Sequence, residues 1–310
     1  MSKNWLSDFQ FEDGAFLVKK TGHTVPMNLG LFGDILVWMS FFTLAQGWRL
    51  WHWARGHRAP RIAFLPDQPR PWYFIWPVLH AAGAKIEKDL HKADVIFQFD
   101  DSTHCNAKRP QVTQSVKYIN FNCLDVSKSL VAKAFEKVSG YSLAVDPTTY
   151  TGMMVEKSEI NAAHDGRTLQ GPAARLEGKS YQRLVDNQIP GDLVEDLRTT
   201  VVAGEPTIVF RKRRPVHRRF ANENCDVRLM LPGDCFSTDE LAIIRSFVSE
   251  IGLDWGGVDV LRDAGTGKIY IVDANKTDMG PPVALPLGQK LRATRLMARK
   301  FAASYAPKVR

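Results

Sequence analysis

Residues 256–275, GGVDVLRDAGTGKIYIVDAN, decide the fold, and their polar side chains need an explanation. The segments 258–261 and 269–272 are short and rich in β-branched residues, which is typical of strands. The RDAGTGK between them has the composition of a turn. The stretch is therefore predicted to be a β-hairpin.

The register of this hairpin predicts a metal site. A loop of about five residues would pair Asp263 with Ile269, and counting outward then places Asp259 opposite Asp273. Asn275 shares the face of Asp273 because strand side chains alternate. Facing carboxylates repel each other, and a divalent cation between them would reverse the sign. The three side chains suit Mg²⁺ completed by water and phosphate oxygens. The alternative is a solvated strand end with two unrelated acids.

Composition narrows the class of protein. The 310 residues, 45% of them hydrophobic, allow one large or two modest domains. The net charge of +8 suits an acidic substrate, a nucleotide, a nucleic acid or an anionic membrane. The four cysteines form no CxxC pair, which favours reduced thiols in a cytosolic protein over a disulfide scaffold or a zinc site. A cytoplasmic location is expected.

The remaining elements predict a mixed α/β (α+β) fold. A strand–helix–strand rhythm between residues 59 and 123 indicates a small α/β domain. An amphipathic helix follows at 125–141, with Gly140 at its C-terminal cap. Strands are predicted near 152–161 and 181–190, and residues 196–220 form two antiparallel strands that turn at Gly204 and Glu205. A helix with a capping box from Ser237 to Glu240 precedes the hairpin.

The basic run RKRRPVHRR, residues 211–219, continues a strand. Alternation puts Arg211 and Arg213 on one face and Lys212 and Arg214 on the other, so half of the charge cannot face one partner. No aromatic platform accompanies it, and no nucleic-acid partner is expected. Structural or solvated charge and the binding of phosphate or an acidic substrate both stay open.

Residues 29–58 are apolar and then basic. The uninterrupted apolar core, 35–45, is too short to span a bilayer, which needs about 20 residues. We predict a helix over 29–53 that packs on the protein. The alternative is peripheral membrane contact, with Trp and Arg side chains at the headgroups. The packed helix is expected to bury Ile35, Leu36, Phe41, Phe42 and Leu44.

In this order, the elements from about Asn122 to Pro282 resemble the ATP-grasp superfamily, in particular its peptide-type and glutamate-type carboxylate–amine ligases. The most specific stretches are DLRTTVVAGE, residues 196–205, and the hairpin. The resemblance implies an ATP-grasp fold with a preceding small α/β domain. Its segments would be 1–58, the apolar and basic N-terminus; 59–123, the α/β domain; 124–190, the first ATP-grasp subdomain; and 191–310, the second.

The resemblance also implies a nucleotide site. Lys128 and Lys157 would contact the ATP phosphates. Gln182 would lie near the adenine amino group, and backbone groups from Arg183 to Val185 would pair with the edge of the base.

Further roles are implied nearer the reacting phosphate. Asp196 would accept hydrogen bonds from the ribose, and Arg198 and Arg211 would face phosphates or a developing acyl phosphate. The hairpin residues Asp259, Asp273 and Asn275 would hold one or two Mg²⁺ ions, with Mn²⁺ as an alternative metal.

The implied activity is ATP-dependent ligation. The carboxylate of a small molecule or peptide becomes an acyl phosphate, and an amine or a similar nucleophile displaces the phosphate. Two other functions remain: a degenerate nucleotide-binding module that acts at a membrane or on a partner, and a phosphotransferase. The chain departs from the family in having Asp273 where Glu is usual, few glycines after Lys157, and KTDMGPP in place of SPG after Asn275.

Overall fold

The computed structural model describes residues 9–12, 14–18, 23–27, 29–55, 60–161, 165–221 and 224–305. These residues form an α+β protein with four β-sheets, as the sequence predicts. The first sheet is antiparallel and contains β1 (Phe9–Glu12), β2 (Ala15–Val18) and β3 (His23–Pro26). The long helix α1 (Leu29–Ala54) follows and confirms the predicted helix. No helix in the described ranges combines the length and apolar character that a membrane crossing requires.

A parallel sheet forms the small α/β unit. It contains β4 (Arg61–Pro66), β5 (Lys85–Ile86), β6 (Val95–Phe99) and β7 (Lys117–Ile119), in the order β5-β4-β6-β7. Helix α2 (Ile75–Ala81) lies between β4 and β5 in the chain. All five residues of β6 are buried, which explains its nearly continuous run of apolar residues.

Helix α1 packs on this unit with one face only. Phe41 and Ala45 are buried, and Phe42 stacks on Trp76 of α2 with ring centroids 4.8 Å apart. Ile35, Leu36 and Leu44 were predicted to be buried, but all three are exposed. The prediction was wrong for these three because α1 lies on the outside of the molecule, where a helix can bury only the stripe that faces its support.

The next units are a helix and a small antiparallel sheet. Helix α3 (Lys128–Ser139) begins after Ser127, whose hydroxyl accepts from Leu130 N–H, and it ends at Gly140 with φ of 77°. That left-handed cap is the conformation glycine tolerates best. The sheet has the order β10-β8-β9, from β8 (Met153–Ser158), β9 (Arg167–Gln170) and β10 (Lys179–Arg183).

The largest sheet is antiparallel and has the order β14-β13-β12-β15-β16, with β11 beside β12. Its strands are β11 (Gln188–Ile189), β12 (Leu193–Val202), β13 (Glu205–Pro215), β14 (Asp226–Met230), β15 (Trp255–Arg262) and β16 (Ile269–Asn275). Three helices accompany it: α4 (Pro232–Cys235), α5 (Thr238–Glu250) and α6 (Leu287–Tyr305). The capping box predicted for α5 is present.

Alternation gives this central sheet two differently covered faces. Leu197, Val209 and Val258 point to one face and share a core with residues of α3 and α5. Ile208 and Phe210 point to the other face and share a core with residues of α2, α6 and the parallel sheet. Further along this second face, apolar residues give way to charged ones, and the candidate site lies there.

The hairpin β15–β16 keeps the predicted pairing by a different route. Ile269 pairs with Arg262 rather than Asp263, so the predicted register at the turn was wrong. A β-bulge between Asp259 and Val260 leaves Val272 as an extra residue on β16. The two offsets cancel, and Asp259 lies directly opposite Asp273 as predicted.

Candidate active site

A row of charged side chains crosses one face of the central sheet. The register pairs Asp196 with Lys212, Arg198 with Asp259, and Asp259 with Asp273. Directly opposite residues of neighbouring strands point to the same face, so these five side chains form one continuous row over four strands. They are buried or half-buried, and their charges act on one another with less screening than in water.

Arg198 is the centre of this row. Its Nη1 donates to Asp259 Oδ2 and its Nη2 to Asp278 Oδ1, both at 2.8 Å. Burial alone would lower the pKa of Arg198, but the charges of Asp259 and Asp278 outweigh it and raise the pKa above its ordinary value. Gly257 makes room for the guanidinium, since a Cβ there would lie 2.6 Å from Arg198 Nε. The arginine is therefore fixed and fully charged between two carboxylates.

The two hairpin carboxylates are neutralised by side-chain cations. Lys128, the first residue of α3, is buried and forms an ion pair with Asp273 Oδ1. Burial would raise the pKa of Asp259, but Arg198 and Lys212 lower it below its ordinary value. The repulsion expected from the sequence is thus already relieved, because each carboxylate has its own cationic partner.

Lys157, on β8, reaches the bulge of β16. Its Nζ donates to the Val272 carbonyl at 2.9 Å, the carbonyl of the extra residue. Burial lowers the pKa of Lys157 to about 8, with Asp273 opposing the shift and Lys128 adding to it. The structure therefore brings together Lys128 and Lys157, which the resemblance assigns to the ATP phosphates.

The donor atoms of the hairpin fit a hard divalent cation. Asp259 and Asp273 face each other, and Asn275 adds an amide Oδ1 that accepts from Thr277 N–H at 2.9 Å. Across the described ranges, no three His, Cys, Asp or Glu side chains gather into a metal-binding group. An ion bound here would therefore be coordinated by these protein oxygens together with water or phosphate oxygens, which is the coordination that Mg²⁺ prefers.

Both carboxylate oxygens of Asp196 already interact with other side chains of the protein. Its Oδ2 forms an ion pair with Arg214, and its Oδ1 accepts from Asn187 Nδ2 at 3.0 Å. Burial raises the pKa of Asp196, with Arg214 opposing the shift. A ribose hydroxyl at Asp196 would have to share its oxygens with these two partners.

Arg211 does not belong to the row. It lies opposite Leu197 on the other face of the sheet, 3.7 Å from Glu195 Oε2 and 3.7 Å from Asp226 Oδ2. The expectation that Arg211 faces the phosphates together with Arg198 is wrong for this structure. Lys212 occupies the corresponding place, and burial lowers its pKa while Asp259 opposes the shift.

The predicted hinge has a buried, unsatisfied amide. Gln182 is 2% exposed, and its Nε2 has no hydrogen-bond partner among the described residues. The N–H groups of Arg183 and Leu184 donate to the carbonyls of Leu143 and Met153. In the described chain, neither the Arg183 carbonyl nor the Val185 N–H takes part in such a loop hydrogen bond. These are the hinge groups that the resemblance assigns to the edge of adenine.

Three side chains of the site region were missed from the sequence. Lys212 and Arg214 share the face of Asp196 only in the observed register of β12 and β13, which differs by one residue from the predicted register. Asp278, in the KTDMGPP segment, is 3% exposed, and its Oδ2 has no hydrogen-bond partner among the described residues. The sequence signal for Asp278 was the departure from the small residues usual after Asn275.

Lys276 is a second unusual residue of that segment. Its side chain is fully buried, and its Nζ has no hydrogen-bond partner in the described structure. It lies near Cys123, whose pKa burial raises to about 12 while Lys276 opposes the shift. A buried ammonium without a partner is costly, because nothing replaces its hydration.

We expect Lys276→Met to raise the free energy of unfolding by about 1–3 kcal/mol, since the similar shape stays and the unmet charge is removed. Urea unfolding measures the change. Lys290→Met is the matched control: Lys290 is also buried, but its Nζ donates to the carbonyls of Val283 and Leu285, both at 2.6 Å. The control should lose stability, and a loss of stability in both variants would show that Lys276 has a stabilising partner.

Comparison with known proteins gives similarity to solved structures only. No family model and no curated protein match the chain. The ATP-grasp ligase PsnB with a minimal precursor aligns with a TM-score of 0.48 and 12% identity, over 78% of this chain and 99% of that one. The RimK domain protein ATP-grasp from Sphaerobacter thermophilus gives 0.46 and 10%, over 80% and 100%. Macrocyclase MdnC from Microcystis aeruginosa, bound with precursor peptide MdnA, gives 0.45 and 9%, over 78% and 99%.

Proposed function

We propose that the chain is an ATP-grasp carboxylate–amine ligase. It would activate the carboxylate of a small molecule or peptide as an acyl phosphate and transfer the acyl group to an amine. The observation that carries the proposal is the pairing of each hairpin carboxylate with a cationic side chain. Each carboxylate suited to Mg²⁺ is paired with a cation suited to phosphate: Asp273 with Lys128, and Asp259 with Arg198.

This pairing supports an exchange of partners on binding. Asp259, Asp273 and Asn275 would hold the metal, which would free Lys128 and one arm of Arg198 for phosphate oxygens. Bound Mg²⁺ supplies Lewis-acid stabilisation of charge on the transferring phosphoryl group. The metal would take the place of the cations beside the carboxylates, and the phosphates would take the place of the carboxylates beside the cations. A metal–triphosphate complex could therefore enter without leaving an unpaired buried charge.

The same geometry supports ATP as the phosphoryl donor. Lys157 extends the cationic side of the row beyond Lys128, while Gln182, the Arg183 carbonyl and the Val185 N–H offer groups for an adenine edge. The substrate carboxylate would attack the γ-phosphorus, forming the acyl phosphate and releasing ADP. Arg198 would stabilise the charge that develops on the transferring group, as a fixed cation does without reorganising.

Asp278 supports an amine as the acceptor. Its Oδ1 is bonded to Arg198 and its Oδ2 is buried without a described hydrogen-bond donor. A carboxylate oxygen in this state suits an ammonium group and can take a proton from it. The neutral amine would then attack the acyl carbon, forming the amide and releasing phosphate.

ATP turnover in the presence of hydroxylamine tests the proposed activity. The full chain is incubated with Mg²⁺–ATP and pools of carboxylates, including amino acids and acidic peptides. We expect ADP release that depends on the carboxylate, together with a hydroxamate formed by trapping the acyl phosphate. ATP binding without turnover on any pool would favour the degenerate nucleotide-binding module. A stable phosphorylated product without hydroxamate would favour a phosphotransferase.

Lys157→Met should weaken ATP binding about tenfold or more and AMP binding little, because the proposal assigns Lys157 to the outer phosphates. ATP binding by the unmodified protein should also weaken as the pH rises through about 8, where Lys157 loses its proton. Calorimetric titration measures both. Lys133→Met, an exposed lysine of α3, is the control. Equal losses for ATP and AMP would contradict the assigned role.

A further inference from the structure

Helix α1 carries a wide apolar surface that nothing in the described structure covers. Its side chains are between 38% and 66% exposed, and they extend from the first turns of the helix to the last. We call the following residues the outer face of α1: Phe32, Leu36, Val37, Met39, Leu44 and Leu50. An exposed apolar patch of this length on a folded protein usually marks an interaction site.

The opposite side of α1 is anchored, so the outer face cannot turn inward. Phe41 and Ala45 are buried, and Phe42 stacks on Trp76 with an interplanar angle of 12°. His52 Nε2 lies 2.9 Å from the Ala81 carbonyl, near the C-terminal end of the helix. The exposure of the outer face is therefore a consequence of the fold.

Two hydroxyl side chains that lie between the outer-face residues do not depend on water for their hydrogen bonds. Ser40 Oγ donates to the Leu36 carbonyl at 2.9 Å, and Thr43 Oγ1 donates to the Met39 carbonyl at 2.8 Å. Both hydroxyls are thus satisfied within the helix, as hydroxyls of helices in apolar surroundings are. The surface can be dehydrated without leaving these donors unpaired.

From residue 35 onward, the charged side chains of α1 and of the residues that follow it to Pro60 are all basic. No Asp or Glu occurs between Ile35 and Pro60, whereas Arg49 and Arg55 are exposed. The Arg55 guanidinium lies 4.1 Å from the ring centroid of the exposed Trp51. A tryptophan beside arginines at the edge of an apolar surface is typical of a helix at a membrane–water interface.

We propose that the outer face of α1 docks the protein on the surface of a bilayer that contains anionic lipid. Successive residues of a helix are about 100° apart, and Ile35, Leu36 and Val37 are all exposed, so the apolar band covers about 200° of the circumference. A single partner helix from a second copy would cover a narrower stripe of about 100°. A lipid surface accommodates the whole band, with Arg55 beside Trp51 at the headgroups.

Vesicle sedimentation with the full chain tests this inference. The probes are phosphatidylcholine vesicles with and without phosphatidylserine, at low and physiological salt. We expect binding only to the anionic vesicles, weakened by salt. Leu36→Glu and Leu50→Glu should each reduce binding about tenfold or more, because an apolar contact is lost and a negative charge is added. Arg55→Gln should reduce the difference between the two vesicle types, because Arg55 lies beside the exposed Trp51.

The matched control is Leu176→Glu, a comparably exposed leucine between β9 and β10. It should bind vesicles like the unmodified protein, and thermal melts should show that all variants are folded. Failure of the unmodified protein to sediment with anionic vesicles would overturn the proposal. So would a concentration-dependent dimer in analytical ultracentrifugation that Leu36→Glu dissociates, since a second copy would then cover the face. Neither outcome depends on whether the chain is a ligase.

Discussion

Asp259→Asn should reduce Mg²⁺-dependent ATP turnover by about a hundredfold to a thousandfold. An amide cannot supply the negative charge that a metal between residues 259 and 273 requires, and groups that stabilise transition-state charge typically contribute this much. ADP release at saturating ATP, measured over a range of Mg²⁺ concentrations, gives the effect. Asp273→Asn should behave in the same way.

Asp263→Asn is the control for this experiment, because Asp263 lies in the same hairpin but bonds to Thr266 in the turn. Its turnover should stay close to that of the unmodified protein. Metal-free Asp259→Asn should also lose about 1–3 kcal/mol of stability, since Arg198 loses a charged hydrogen-bond partner. Facing carboxylates without cations would instead predict a gain in stability. Full turnover by the Asp259 variant would exclude this residue as a metal ligand.

Arg198→Met should lower the free energy of unfolding by about 3–5 kcal/mol, the usual cost of removing one partner from a buried group of charges. Asp259 and Asp278 would both lose their arginine, and Asp278 is almost completely buried. Urea unfolding at neutral pH measures the loss. Arg213→Met, which breaks a half-buried pair with Glu195 on the other face, should cost about 1 kcal/mol or less.

The pH dependence of the stability lost in Arg198→Met shows whether charge or packing causes the loss. In the unmodified protein, Arg198 and Lys212 outweigh burial and depress the pKa of Asp259, so the stabilising contribution of Asp259 is present above its unfolded pKa and is lost as the pH falls through the folded pKa. Without Arg198, the burial that raises the pKa of Asp259 is opposed by fewer cations. The difference between the two proteins should therefore be largest at neutral pH and smaller in acid. Adding Asp278→Asn should restore part of the stability, and an equal loss at every pH would point to packing instead.

Alternation along single strands could be predicted from the sequence, but the pairing of strands could not be predicted reliably. Alternation was sufficient to place Asp273 and Asn275 on one face of their strand, whereas the pairing of Asp259 with Asp273 also depended on the register. The turn itself was predicted one residue away from its observed position. The bulge that corrects the offset has no clear composition signal, because it depends on how β16 bends along the edge of the sheet.

The same one-residue uncertainty explains Arg211. A turn at Gly204 and Glu205 would place Arg211 opposite Arg198. The observed turn residues are Ala203 and Gly204, both at positive φ. This turn alone would pair Arg198 with Val209, and a bulge near Thr200 moves the pairing back by one residue. Arg198 then pairs with Phe210, and a slip of one residue exchanges the two faces of β13. Lys212 therefore joins the row, and Arg211 does not.

Sequence patterns also could not predict which side chains are buried in segments near the surface of the molecule. Helix α1 is apolar on all sides, so its sequence does not distinguish the supported stripe from the exposed one. Lys276 and Asp278 follow a strand and carry charges that are normally solvated, yet the parallel sheet and α2 lie close enough to enclose this segment: Phe74 N–H donates to the Asp278 carbonyl at 2.9 Å. Only the packing of distant segments decides such cases.

The bulge at Val272 lies between the turn of the hairpin and its paired carboxylates, Asp259 and Asp273. Because β16 absorbs one extra residue between the turn and Asp273, the alignment of the two carboxylates depends on the bulge, where Lys157 holds the Val272 carbonyl, and not on the number of residues in the turn. Ala264 N–H donates to the Asp186 carbonyl at 2.6 Å, so insertions between Ala264 and Gly267 are the changes expected to leave the carboxylates aligned. The hairpin tip is a place where related chains can drift in length, and where a label or a foreign loop can be grafted, while the site keeps its geometry.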